Sequence, residues 1–97
     1  MDIEIKVKKT TTALAGNPFG KKIFAEQVRS KISSVNDNVE ILIPPQITDV
    51  TSSFVQGFFK YWIDAMPQSE IRKRVTIKSP YPQVVKYIWK NMRREDA

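Results

Sequence analysis

The chain has 97 residues, 41% of them apolar and 27% charged, with a formal net charge of +6; these proportions describe one globular domain spanning residues 1–97 and exclude wholesale disorder. It contains no cysteine and no histidine, which excludes disulfides, structural zinc sites, Ser-His-Asp triads and Cys-His pairs. The acidic residues are scattered singly apart from Glu95-Asp96, so no metal, cofactor or enzymatic activity is expected.

Ile3, Ile5 and Val7 alternate with Glu4, Lys6 and Lys8, a period of two that predicts a strand with one wet face near a sheet edge. Three consecutive threonines within Lys9 to Ala13 extend it, since threonine suits extended backbone. Gly16-Asn17-Pro18 then predicts a helix start, with Asn17 as N-cap and Pro18 in the first helical position. Phe24, Val28, Ile32 and Val35 recur at helical spacing. They predict an amphipathic helix of about four turns that ends at the turn residues Asn36-Asp37-Asn38.

Val39 to Ile43 is nearly continuous in apolar residues, the pattern of a central strand covered on both faces. Pro44-Pro45 diverts the chain. A second helix follows from Phe54 to Met66, where Phe54, Phe58 and Trp62 form one row and Val55, Phe59, Ile63 and Met66 its neighbour. Ser53 and Gln56 have the spacing of a capping box at its start, with Ser52 just outside. Pro67 closes this helix.

Val75 and Ile77 alternate with Arg74, Thr76 and Lys78, so Arg72 to Ser79 reads as a third strand. Ser79-Pro80-Tyr81-Pro82 is a rigid turn. The last helix, about 82–94, carries Val84, Val85, Ile88, Trp89 and Met92 inward and Lys86, Lys90 and Arg93 or Arg94 outward. The order strand, helix, strand, helix, strand, helix predicts an α/β domain with packed helices on a small mixed sheet. No stretch approaches the ~20 apolar residues that span a bilayer. Met1-Asp2-Ile3-Glu4 is unlike a secretory leader, and a cytoplasmic protein is expected.

Thr51, Ser52 and Ser53 place hydroxyls at the mouth of the second helix, where free N–H groups and the helix dipole favour negative charge. Such a cluster can cap the helix, bind an anion or accept a phosphate. The element order, with Gly20-Lys21-Lys22-Ile23-Phe24 in the first helix and Ser52-Ser53-Phe54-Val55-Gln56-Gly57-Phe58-Phe59 opening the second, is similar to the STAS domain. It looks most like the small bacterial STAS-like proteins of unknown function and, more distantly, the anti-sigma factor antagonists. The resemblance implies a STAS-like fold and a protein-binding regulatory role. It also implies a partner of the serine-kinase or anti-sigma type, and phosphorylation at Ser52 or the neighbouring Ser53. Thr51 stands where the antagonists' pattern has Asp, and Phe54 where it has Gly. Asp49, Thr51 and Gln56 surround these serines as candidate partner contacts.

Residues 1–71 are electrically balanced, and the whole +6 lies in residues 72–97. This supplies the alternative reading, a nucleic-acid-associated protein using Arg72, Arg74, Lys78, Lys86, Lys90 and Arg93. No helix-turn-helix, zinc-finger or Gly-rich RNA signature accompanies the charge.

Overall fold

The computed structural model describes residues 1–94. Among the described residues the elements run β1 (Asp2–Glu4), β2 (Ala13–Leu14), α1 (Asn17–Gln27), β3 (Val39–Leu42), β4 (Asp49–Val50), α2 (Ser52–Phe58), α3 (Lys60–Ile63), α4 (Gln68–Arg74), β5 (Val75–Lys78) and α5 (Pro82–Lys90). A single 3-10 turn, Arg29–Lys31, follows α1.

The main sheet has the order β1-β3-β5, and every pairing in it is parallel. The expected mixed sheet is thus corrected to a parallel one. Strands laid side by side in chain order, joined by crossovers of one hand, put their connections on the same face. Burial agrees: Ile3, Ile41 and Ile77 form one buried row across the three strands, with Val39 and Val75 beside them. The opposite face carries Asp2, Glu4, Glu40, Thr76 and Lys78. Hence β3 is covered on one face, not two. Its apolar run misleads because Leu42 lies on the outer face, half-buried.

The first strand does not extend through Lys9 to Ala13. Lys9 and Thr10 form a turn, and β2 pairs instead with β4 in a separate parallel ribbon, Ala13 opposite Asp49 and Leu14 opposite Val50. Beyond β1, the backbone of Lys6 is held from outside the sheet. Gln27 Oε1 accepts from Lys6 N at 2.7 Å, and Gln27 Nε2 donates to Lys6 O at 2.7 Å.

Helix α1 begins near the predicted position but ends at Gln27, not near Val35. Gly16, at φ 96°, is its N-cap, and Asn17 and Pro18 are already helical. The chain narrows into the 3-10 turn, and the residues on either side of it, Val28 and Ile32, are buried. Asp37 Oδ2 then accepts from the backbone of Ser33 and Ser34, at 2.6 and 3.3 Å, holding an open turn where the helix was expected to continue.

The aromatic helix is two pieces. It breaks at Phe59, with φ −97° and ψ 9°, yet Phe59 N still donates to Val55 O and Ile63 N to Phe59 O. Both predicted rows therefore face inward: Phe54, Phe58 and Trp62 are buried, as are Val55, Phe59 and Ile63. Phe54 stacks on Phe58 with centroids 5.6 Å apart, and Phe24 of α1 meets Trp62 edge-on at 5.5 Å. Such pairs add to simple area burial.

Helices α1 and α2 touch through glycine. A Cβ on Gly20 would lie 2.5 Å from Phe54 O and 2.7 Å from Phe58 N, and one on Gly57 would overlap the backbone of Asn17. The contact needs a bare Cα from each helix.

Residues 68–74 differ most from expectation. Gln68 to Arg74 is a helix, and the third strand begins only at Val75. Pro67 precedes its first turn, Glu70 lies within that turn, and Arg72, Lys73 and Arg74 occupy the last one. This charge order suits the helix dipole. Helix α5 also stops earlier than predicted, at Lys90, so Met92 and Arg93 lie beyond it.

Candidate functional site

The start of α2 is tied to the start of α1. Strands β2 and β4 run side by side in the same direction, and each leads within two residues into a helix. Thr51 joins them: its N–H donates to Leu14 O at 2.9 Å. Its Oγ1 accepts from Phe54 N and from Gly16 N, both at 3.2 Å. A hydroxyl has two acceptor sites and one proton. With both sites used, the Thr51 proton is the one directed at Ser53 Oγ, 3.1 Å away.

This corrects the predicted cap. Thr51, not Ser53, is the N-cap of α2, and Ser52 is its first helical residue. The capping box does not form, because Gln56 points elsewhere: its Nε2 donates to Asn91 O and Arg93 O, at 2.7 and 2.6 Å. Gln56 thus secures the end of α5 instead of the mouth of α2. Ser52 is half-buried and Ser53 exposed. Asp49 is exposed on β4 two residues before Thr51. Asp49, Thr51, Ser52 and Ser53 are therefore near neighbours along the junction of β4 and α2, and the Gln56 amide is drawn away to the end of α5.

The basic residues fall into two groups. Arg72, Lys86, Lys90 and Arg93 line one groove of about 700 Å³ between α4 and α5, together with Gln68, Val85 and Trp89. Arg72 lies with its guanidinium carbon 4.4 Å above the centre of the Trp89 ring. Among the described residues, no carboxylate is within ion-pair distance of these four cations. The other two are engaged elsewhere. Arg74 Nη1 is 3.3 Å from Glu70 Oε1, and Lys78 Nζ is 2.7 Å from Glu40 Oε1 on the open sheet face. The expected six-residue patch is thus four residues in a groove, with two paired ones outside it.

Exposed electrostatics follow from these pairs. The Glu70 carboxyl is held below its ordinary range by the hydrogen bond from Lys73 and then by Arg74. Glu40 is lowered chiefly by its bond to Lys78, whose ammonium is raised in return. Asp2, which shares a hydrogen bond with Glu40 and feels its charge, is pushed up.

Gln68 was not foreseen as a functional residue. Its Nε2 donates to Trp89 O at 2.6 Å and to Met92 O at 3.2 Å, so it fixes the wall of the groove it lines. Only recognition of α4 as a helix could have put Gln68 and Arg72 one turn apart on the same side. Comparison with models of known families, with characterised proteins and with solved structures finds no match to this chain.

Proposed function

We propose that this protein is a cytoplasmic, non-enzymatic regulatory module of STAS-like type that works by binding another protein. Its contact rim is the turn from Asp49 to Ser53, and phosphate on Ser52 or Ser53 switches the contact. The supporting observation is that Ser52 is half-buried and Ser53 exposed in the first turn of α2, which Thr51 already caps and ties to α1. The fold does not need either serine hydroxyl to satisfy the helix start. A phosphate there adds roughly −1.5 to −2 charges near helix N–H groups, which tolerate it, while a partner fitted to a neutral hydroxyl meets repulsion and desolvation. The domain stays folded and the complex separates. The resemblance to anti-sigma factor antagonists supplies the partner class, a serine kinase or an anti-sigma-like protein.

The test combines mass spectrometry of protein isolated from its native cells with the variants Ser52→Asp and Ser53→Asp. Phosphate on either serine, with the matching variant folded but unable to retain the partner that wild type co-purifies, is the expected result. Unmodified serines across growth conditions, or unfolding of Ser52→Ala, would remove the switch.

A further inference from the structure

The groove between α4 and α5 lies on other elements than the serine turn, and it has the makings of a second contact surface. Four cations converge on it without a carboxylate among the described residues to neutralise them, while Arg74 and Lys78 outside it are paired. Positive potential is therefore concentrated in one concavity rather than spread along the chain's basic quarter. The groove is also built in advance. Gln68 grips the carbonyls of Trp89 and Met92, and Gln56 those of Asn91 and Arg93, so the segment that runs out of α5 along this wall is held in place. Half-buried Val85 and the largely buried Trp89 are the apolar residues that line the groove.

We propose that this groove docks an acidic peptide segment of a partner protein. Carboxylates of the segment meet Arg72, Lys86, Lys90 and Arg93, and one apolar side chain lies against Val85 and Trp89. The Arg72 fork, oriented by its stacking on Trp89, suits a planar carboxylate. Nucleic acid fits less well. Trp89 is 8% exposed and its face is covered by Arg72, so the groove offers no ring on which a base can stack. Lys86 and Lys90 are one helical turn apart, about 6 Å, and Arg72 and Arg93 line the same groove.

The proposal is tested by fluorescence anisotropy on the full chain. The probe is a labelled peptide of Asp and Glu with one central Leu. The competitors are the same peptide with Gly for Leu, its Gln/Asn counterpart, and a thymidine oligonucleotide of equal charge. Expected are saturable binding that weakens with salt, a severalfold loss with Gly, no binding of the Gln/Asn peptide, and at least a roughly tenfold loss in Lys86→Glu/Lys90→Glu, since truncating or reversing interface charges costs this much or more. Because these lysines are exposed, circular dichroism should show that variant folded; Arg93→Glu, beyond the helix, is the second variant and should weaken binding too. Tighter binding of the oligonucleotide than of the peptide, or equal affinity of wild type and both variants, overturns the proposal. Ser52→Asp should leave peptide affinity unchanged, so failure here and failure of the serine switch are separate results.

Discussion

Thr51 Oγ1 lies 3.2 Å from the backbone nitrogen of Gly16, 35 residues earlier in the chain, and the same oxygen caps α2 through Phe54 N. One hydroxyl thus fixes where two helices begin. Thr51→Val, which keeps the shape and removes the oxygen, should cost about 1–2 kcal/mol, the usual range for a lost cap. Thr51→Ser should recover most of it. Urea unfolding of the two variants measures the difference, and equal midpoints would show that the bridge contributes nothing.

Gly20 and Gly57 admit no side chain without moving backbone. Gly57→Ala should destabilise by at least ~1–3 kcal/mol, the range for overpacking, because the obstruction is the Asn17 main chain and cannot swing aside. This outweighs the gain of up to ~1 kcal/mol that alanine brings to a helix interior. Thermal unfolding decides the sign; a higher Tm would contradict the close approach of α1 and α2.

Trp62 is wholly buried, and its indole N–H has no hydrogen-bond partner among the described residues. An unsatisfied buried donor costs about 1–3 kcal/mol. Trp62→Phe loses volume but removes that donor, so the two effects oppose and the net loss should stay under about 2 kcal/mol. Trp62→Ala has no such relief and should lose about 3–5 kcal/mol. Denaturant titration of both variants, followed by circular dichroism, separates these cases.

Acid stability should be set by Glu40, Glu70 and Asp2 acting in opposite directions. Glu40 and Glu70 are lowered in the fold. Their contribution is present above the ordinary value, ~4.3, and is lost as pH falls through the lower folded values. Asp2 is raised, so its contribution is present below ~3.9 and is lost as pH rises through its higher folded value. Asp2→Asn should therefore raise stability slightly at neutral pH and make the acid decline steeper. Lys78, raised by Glu40, should lose its contribution only as pH rises beyond ~10.4. Unfolding midpoints measured across pH for wild type and Asp2→Asn check the sign.

The apolar periodicities were the legible part of the fold. Phe54, Phe58, Trp62, Val84 and Ile88 are buried where their spacing puts them, and Asn17-Pro18 marks the α1 start to within a residue. Short elements were not legible. Strands β2 and β4 have two residues each, too few for any period to register, and α4 buries only Ile71. Its signs are Pro67 followed by Glu70 and then three basic residues, and the alternation of Val75 and Ile77 beside them points to a strand instead. At the mouth of α2, the spacing of Ser53 and Gln56 points to Ser53 as the cap. The choice fell to Thr51 because it alone also reaches Gly16, a contact across 35 residues that local spacing does not carry.

A parallel sheet that ends at β1 exposes a row of main-chain groups to any other extended segment. At Lys6 both of them are already answered by the Gln27 amide, which imitates the N–H and C=O of a missing strand. The side chain thereby occupies the border just past the end of β1. A further strand, whether from a sister molecule in a fibril or from a visiting peptide, must evict glutamine to pair beyond Glu4.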